Sequence, residues 1–523
     1  SLAIAPSTRA FASLRHALDT RDAEREGFQR KLRERALGIE REVLWVDLEL
    51  AQLPQETLQA FIGSETLARY RHFLERILRG KPHQLPEAQE QLVADLQQTG
   101  AEAFAALFEQ EDGTKLFQQG AVQRTLTDLL HDLSHADRTI RASAAAAISE
   151  GLQDDGQRRS FIYTTLLKNK ETIDRYRRFD RPEAGRHLAN ETTHEAVETL
   201  AKAVETRAGL FQRYYRWKAG KLGLERLADY DRYAPLDAVE RTYGFDEAKA
   251  IVLRSFEAFS PVFAAQASLF FEKGWIDAEP TPGKRGGAFC SYVSADHHPY
   301  VFLNFQGNVS DVLTLAHELG HAIHASLARP NGYLQFDTPL TLAETASVFG
   351  EMLVFDRLRK ELASPADKQA LCARKIESIF ATVHRQTTLY RFEQKAHALV
   401  RKQGFATAEQ YQACWVEAHA PLFGDAIELT PGYRSWWSYI SHFFHTPFYV
   451  YAYAFGELLT CCLYERSQAQ PEAFRDQYVQ LLGRGGSADP KTLLAPLGID
   501  PEATATWERG LNWIERLVEE TIN

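Results

Sequence analysis

Residues 317–321 read His-Glu-Leu-Gly-His, a spacing that suits a metal ion held by one helix. Positions i and i+4 of an α-helix lie on one face, so His317 and His321 can direct both imidazoles at the same ion. Glu318 lies one position further round the helix, where its carboxylate can reach a water on the metal instead of the metal itself. This combination of residue types predicts hydrolysis by a water molecule that a metal ion activates.

The segment around the motif has the composition of a buried helix. Ser310 is a suitable N-cap and Asp311 suits a first helical turn, while Pro330 ends the segment. Between residues 312 and 328 the only formally charged residue is Glu318. Burying one carboxylate and two imidazoles costs several kcal/mol unless partners or a metal compensate. The alternative interpretation is a pair of hydrogen-bonded core histidines beside a salt-bridged glutamate.

A catalytic zinc site needs a third protein ligand and one open position, and Glu344 is the best candidate for that ligand. A turn at 329–332 follows the motif, and a second helix is predicted to begin between Thr338 and Thr341. An antiparallel return of this length can bring Glu344 back over the two histidines. Glu351, two turns later on the same face, either orients a ligand imidazole or is an exposed helix residue. Two imidazoles and a carboxylate favour one Zn²⁺ per chain, although Co²⁺ and Mn²⁺ accept the same ligands.

The whole chain has 523 residues, a mass of 59.3 kDa and a formal net charge of −10. Apolar residues make up 45% and charged residues 25%, an ordinary globular composition that excludes a mainly disordered chain. The negative balance argues against nucleic-acid or anionic-membrane binding as the main role. Five scattered cysteines fit neither a disulfide framework nor a thiolate metal site, and they are typical of a reducing, cytoplasmic compartment.

Helical patterns dominate the chain. Residues 1–230 contain long stretches without proline in which apolar residues recur every three or four positions, so we expect long helices with charged outer faces. Two short β-like runs, 288–293 and 300–305, predict a small antiparallel hairpin before the motif helix. The longest apolar stretch, 446–464, carries Glu457 and four tyrosines and therefore predicts a buried helix instead of a membrane span. The predicted fold class is mostly α with a minor sheet.

Four further stretches accompany the motif helix 317–324. They are Lys284-Arg285-Gly286-Gly287-Ala288, the run 300–305 ending in Asn304-Phe305, Glu344-Thr345-Ala346-Ser347 and the aromatic run 442–456. Together these stretches resemble the oligoendopeptidase F-like branch of the thimet oligopeptidase family of zinc metallopeptidases. The resemblance implies a largely helical, two-lobed molecule with a deep substrate channel and the small sheet beside the zinc helix. It also implies a helical N-terminal region, 1–199, that forms part of the channel wall, and a zinc metallopeptidase catalytic domain, 200–523.

The resemblance also assigns expected roles to single residues. The zinc ligands implied by it are His317, His321 and Glu344. Glu318 is then the catalytic base, and Tyr453 matches a tyrosine that stabilises the transition state in this family. The assisting histidine stays open between His442, which fits the family position better, and His445, whose spacing to Tyr453 suits one helical face. The chain departs from the thimet-type pattern at 446–448, where Thr-Pro-Phe replaces a glycine-rich loop.

The combined prediction is a cytoplasmic zinc endopeptidase that cleaves internal bonds of oligopeptides and excludes folded proteins. The strand 300–305 is predicted to pair with an extended substrate backbone, with Phe305 contributing to substrate binding. One alternative is a zinc carboxypeptidase or dipeptidase of similar build, which needs basic residues for the free carboxylate of its substrate. Another is a non-catalytic helical scaffold with a structural metal, although structural zinc sites are usually thiolate-rich. Neither a nucleic-acid nor a membrane partner is expected, and the oligomeric state is not predicted.

Overall fold

A computed structural model describes residues 4–236 and 241–523, and most of them are helical. The elements of the first part are α1 (Ile4–Leu18), α2 (Ala23–Gln52), α3 (Gln55–Ile62), α4 (Arg71–Gly80), α5 (Glu87–Thr99), α6 (Ala101–Thr114), β1 (Phe117–Gln119), β2 (Val122–Arg124), α7 (Leu126–Asp132), α8 (Arg138–Asp154), α9 (Gly156–Tyr176), α10 (Ala184–Ala189), α11 (His194–Thr206), α12 (Ala208–Lys221) and β3 (Leu227–Ala228).

The second part contains the motif and the elements around it. These are α13 (Phe245–Phe259), α14 (Pro261–Glu272), β4 (Ile276–Asp277), β5 (Phe289–Ser291), β6 (Tyr300–Phe302), α15 (Val309–Ala328), α16 (Leu340–Ala343), α17 (Thr345–Glu361), α18 (Pro365–Phe380), α19 (Gln386–Gln403), α20 (Ala408–Phe423), β7 (Ile427–Glu428), α21 (Ser441–His445), α22 (Tyr451–Ala469), α23 (Pro471–Gly483), α24 (Pro490–Leu494) and α25 (Thr504–Ile522).

The predicted fold class, mostly α with a minor sheet, is confirmed. One hairpin in the N-terminal region was missed, because its strands β1 and β2 are short and mostly polar, Phe-Gln-Gln and Val-Gln-Arg. Gly120 in the turn between them has φ +60°, a left-handed conformation that favours glycine. The division into 1–199 and 200–523 stays a prediction.

The sheet beside the motif helix contains the predicted hairpin and one strand more. Strand β6 pairs antiparallel with β5 and parallel with β4, so the order is β4-β6-β5. The hypothesis that strand 300–305 pairs with a substrate backbone is therefore wrong for β6, because protein strands occupy both of its edges. Beyond β6, Phe305 donates its backbone N–H to the carbonyl of Ala278. Strand β5 is an edge strand of this sheet and contacts α15.

Helix α15, which carries the motif, begins one residue after Asn308 instead of at the predicted cap Ser310. The Asn308 side chain accepts a hydrogen bond from the backbone N–H of Asp311, whose own carboxylate accepts from the N–H of Asn308. Helix α15 packs closely on α17 because Gly320 has no side chain. A Cβ there would stand 2.3 Å from the carbonyl oxygen of Ala346. The glycine of the motif thus sets the distance between the two helices.

Helix α22 lies on the other side of α17, and most of its residues are buried, as the apolar stretch 446–464 predicts. A Cβ at Gly456 would stand 3.1 Å from the Cβ of Glu344, so this glycine lets α22 approach the start of α17. Within the described residues, we find no helix that combines the length and the apolar character needed to cross a membrane.

Candidate metal and catalytic site

Three side chains converge where α15 passes the junction of α16 and α17. The Nε2 atoms of His317 and His321 each lie 3.4 Å from Oε2 of Glu344. Two ligands held at about 2.1 Å by a tetrahedral ion stand about 3.4 Å apart, so this spacing fits a metal site. The donor set, two imidazoles and one carboxylate, suits a divalent cation of the zinc type. We call these three residues the metal triad.

Both imidazoles of the metal triad are oriented by oxygen atoms on their second nitrogens. Nδ1 of His317 lies 3.5 Å from Oε2 of Glu351, and Nδ1 of His321 lies 3.3 Å from the Tyr292 hydroxyl. Glu351 in turn accepts a hydrogen bond of 2.9 Å from Nζ of Lys375. These contacts leave both Nε2 atoms facing Glu344. Sequence reasoning anticipated Glu351 but not Tyr292 or Lys375, which lie 29 residues before His321 and 24 residues after Glu351 and carry no local signal.

The charges around the metal triad favour ionised carboxylates. Burial opposes the charged imidazole of His317, but Glu344 and Glu351 outweigh it and raise its pKa to about 10. Burial also opposes charge on Glu344, yet the two histidines lower its pKa well below the usual range. The pKa of Glu351 is lowered to about 2, chiefly by Lys375 against the cost of burial. Protons and a metal ion therefore compete for the same nitrogen of His317.

Glu318 is buried next to the metal triad, with 6% of its surface exposed. Its Oε2 atom has no hydrogen-bond partner among the described residues. Burial raises the pKa of this carboxyl, against the lowering effect of His317 and His321. A buried carboxylate with a free oxygen and a raised pKa is suited to accept a proton from a water molecule.

His442 lies on α21 and Tyr453 in the first turn of α22, and their side chains are in contact. Nε2 of His442 is 3.1 Å from the Tyr453 hydroxyl, and the rings of Tyr449 and Tyr453 are 5.2 Å apart. Burial, then Tyr449 and the charge of Glu344, raise the pKa of Tyr453, so its hydroxyl keeps its proton at neutral pH. Glu344 lies close to the same helix, since a Cβ at Gly456, three residues after Tyr453, would stand 3.1 Å from the Cβ of Glu344. We call residues 442–453 the histidine–tyrosine segment.

The structure separates His445 from this pair. Helix α21 ends at His445 and α22 begins at Tyr451, so the single helical face that would join His445 to Tyr453 does not form. Instead, Nε2 of His445 lies 3.5 Å from Oε1 of Glu109, and its ring packs against Phe108 on α6. The ring of Phe305 packs edge-on against that of Phe245, with the two centroids 5.4 Å apart.

Comparison with known proteins supports a single family. A model described as Peptidase family M3 matches residues 133–513, and one described as Oligopeptidase F matches 49–114. An oligoendopeptidase F homolog of Lactococcus lactis subsp. lactis (strain IL1403) is 26% identical over 98% of this chain and 88% of the relative. Oligopeptidase PepF of Bacillus subtilis (strain 168) is 27% identical over 90% of this chain and 72% of the relative.

Solved structures share the fold. A chain from Chlamydophila abortus superposes with a TM-score of 0.89 at 24% identity, covering 98% of this chain and 87% of that one. The oligoendopeptidase-F from Enterococcus faecium superposes with a TM-score of 0.73 at 20% identity, covering 98% and 89%. The family model spans well over half of the residues, from within the N-terminal helices to α25. The chain therefore belongs to peptidase family M3 and is a metallopeptidase that acts on peptides.

Proposed function

We propose that this protein is a zinc-dependent oligoendopeptidase that hydrolyses internal bonds of short peptides and excludes folded proteins. The observation that carries the proposal is the metal triad, in which both Nε2 atoms lie 3.4 Å from one carboxylate oxygen beside the unpartnered oxygen of Glu318. The names of the relatives, oligoendopeptidase F and oligopeptidase PepF, support the substrate class. The metal ligands in this proposal are His317, His321 and Glu344.

Each residue of the site then has a defined task. When bound, zinc lowers the pKa of a water molecule from about 15.7 toward about 7 and polarises the carbonyl of the scissile bond. Glu318 accepts the proton of the attacking water and passes it to the leaving amine. Tyr453 donates its hydroxyl hydrogen bond to the oxyanion of the tetrahedral intermediate, and His442 orients that hydroxyl. Glu351 and Lys375 hold the imidazole of His317 in place.

Chelation and the variant Glu318→Gln test the proposal together. Internally quenched peptides of five to fifteen residues are incubated with the protein as purified, after chelation, and after addition of one equivalent of zinc. We expect internal cleavage that chelation removes and zinc restores. Replacing the base with an amide of the same shape should lower kcat by about 10²–10⁴-fold while metal content is unchanged.

The products decide the class of peptidase. Mass spectrometry should show cleavage within the peptides, whereas successive release of single residues or dipeptides would identify an exopeptidase. Undiminished cleavage by the folded Glu318→Gln variant would contradict the role of this carboxylate. An absence of cleavage by the zinc-loaded parent chain would contradict the proposed function as a whole.

A further inference from the structure

Arg385 ends a π-helical turn, Ala381–Arg385, between α18 and α19. Such turns are rare and often occur at functional sites. This one packs against α22, the helix that contains Tyr453. The arginine lies 57 residues before His442 in the sequence, so sequence reasoning did not connect it with the site.

The Arg385 guanidinium has few partners. Its Nη2 donates to the Tyr439 hydroxyl at 3.3 Å, and no other hydrogen bond joins it to a described residue. No carboxylate of residues 4–236 or 241–523 forms an ion pair with it. The charged group that faces it is a second cation, Arg232, which is buried and stacks on the rings of Tyr233 and Tyr433. The buried carboxyl of Asp229 lies close enough to Arg232 to act on its charge, so the cation without a carboxylate partner among the described residues is Arg385, and an anion is favoured there.

This arginine–tyrosine cluster, comprising Arg232, Tyr233, Arg385, Tyr433 and Tyr439, adjoins the histidine–tyrosine segment. Tyr439 precedes His442 by three residues, which limits the distance between their Cα atoms to about 11 Å. The charge of Arg385 is close enough to lower the pKa of His442, after the larger effect of burial. Arg385, Tyr233, Tyr439 and His442 each keep partial exposure to solvent, whereas Arg232 and Tyr433 are buried behind them. The cluster thus presents one open guanidinium and two tyrosine hydroxyls beside the residues that act on the peptide bond.

We propose that Arg385, assisted by the hydroxyls of Tyr439 and Tyr233, binds a carboxylate of the peptide substrate, and that this group is the free C-terminus. The inference rests on the proposed function, because it concerns a substrate bound at the same site. A planar guanidinium forms paired, charge-assisted hydrogen bonds with a carboxylate, and Arg385 has donors left for them. Every unmodified oligopeptide carries a C-terminal carboxylate, whatever its sequence. The enzyme would then measure the distance from the cleaved bond to the peptide end, which favours short substrates. It differs from the carboxypeptidase or dipeptidase alternative in that more than two residues lie between the cleaved bond and the bound carboxylate.

Three internally quenched peptides of the same length test this proposal. The first ends in a free carboxylate, the second in a carboxamide, and the third in a carboxamide after a glutamate that replaces a neutral residue. The parent chain should cleave the first with a kcat/KM about 10- to 100-fold above the second, mostly through KM, as expected for a hydrogen bond to a charged group. Lengthening the first peptide by one residue at its C-terminus should move the cleaved bond by one residue, whereas lengthening its N-terminus should not.

The variant Arg385→Gln should lose the preference, so that its kcat/KM values on the free-acid and the carboxamide peptide agree within about twofold. A circular dichroism spectrum and a zinc content equal to those of the parent chain report that the variant is folded. Arg385→Lys keeps the positive charge but not the planar pair of guanidinium donors. It should therefore lose part of the preference for the free-acid peptide over the carboxamide. Lys395→Gln is the matched control, since it removes one positive charge from an exposed position of α19 and should keep the full preference.

Each of the other possible outcomes contradicts one defined part of the proposal. Equal cleavage of the free acid and the carboxamide by the parent chain overturns carboxylate binding, while leaving the proposed function intact. Preference for the third peptide over the first overturns the terminal carboxylate in favour of an acidic side chain. An equal loss on all peptides in Arg385→Gln overturns substrate binding as the role of Arg385. If the zinc-loaded parent cleaves none of them, it is the proposed function that fails.

Discussion

The metal triad and the histidine–tyrosine segment are neighbours, since α22 approaches Glu344 at Gly456, but they are built differently. The triad lies on regular helices, and each imidazole is held through its second nitrogen by Glu351 or Tyr292. In the histidine–tyrosine segment, the five-residue helix α21 is followed by a break. Phe448, within that break, adopts φ +60°, an uncommon conformation for a bulky residue. One hydrogen bond of 3.1 Å, between His442 and Tyr453, links its two functional side chains.

This contrast corresponds to the two tasks. A metal site binds tightly only when its ligands are already in position, so the triad has fixed outer contacts. A donor to the oxyanion is needed only in the transition state, so the Tyr453 hydroxyl is linked to one neighbouring histidine, without a buried charged pair such as Glu351 and Lys375 behind it. Substitutions beside the triad should therefore change metal affinity, and those in the segment should change turnover.

The largest effect in the segment is expected for Tyr453→Phe. Loss of the hydroxyl removes one donor to the oxyanion, so kcat should fall by about 10²–10³-fold with little change in KM. Zinc affinity, measured by competition with a chromophoric chelator, should equal that of the parent chain. A loss of zinc in this variant would contradict the division by which the metal triad sets metal affinity and the histidine–tyrosine segment sets turnover.

Tyr449→Phe is the comparison variant, because its ring lies 5.2 Å from that of Tyr453 and it loses the same atom. The Tyr449 hydroxyl also interacts with that of Tyr453, so we expect kcat to fall, but much less than in Tyr453→Phe. The two histidines offer a parallel comparison: His442→Gln should reduce kcat, whereas His445→Gln should not, since His445 contacts α6 instead. An equal loss of kcat in Tyr453→Phe and Tyr449→Phe would contradict the assignment of Tyr453 as the donor to the oxyanion.

The two regions also differ in how far the sequence predicted them. His317, Glu318 and His321 could be grouped from helical spacing alone, and Glu344 from the length of the following turn. The position of His442 beside Tyr453 depends on the break between α21 and α22, which no periodicity reveals. Arg385 and Tyr292 reach the site from distant elements, and only the packing of the whole chain brings them there. The mostly helical fold was predictable because long apolar periodicities average over local errors. Of the short strands, only β5 and β6 were predicted, because each lies in a longer β-like run.

The next effect concerns the outer contacts of the metal triad. Glu351→Gln removes the charge that faces Nδ1 of His317, so zinc affinity should fall by about 10- to 100-fold. With saturating zinc, kcat should recover to within a fewfold of the parent value. Glu457→Gln is the control, because Glu457 lies 3.7 Å from the same Lys375 but does not contact the imidazole. If both variants lose zinc equally, Lys375 is the critical residue and the contact between Glu351 and His317 is not.

The smallest effect on turnover is expected for Glu393→Gln, which tests how the histidine–tyrosine segment is held. Oε1 of Glu393 accepts the backbone N–H of Phe448 at 2.7 Å, and the side chain is fully buried. Burial raises the pKa of this carboxyl from 4.5 to about 8. An amide oxygen can accept the same hydrogen bond, so kcat at pH 7 should stay within about threefold of the parent value.

The pH dependence of stability distinguishes glutamate at position 393 from the glutamine of the variant. Between pH 4.5 and about pH 8 the folded protein keeps a proton on Glu393 that the unfolded chain releases. The stability that this residue contributes is therefore complete below pH 4.5 and is lost as the pH rises through 8, on the order of a few kcal/mol. Denaturant unfolding at pH 5, 6.5 and 8 should show a smaller decline in Glu393→Gln than in the parent chain. The exposed variant Glu195→Gln should follow the parent, and identical slopes in all three proteins would mean that Glu393 is ionised when folded.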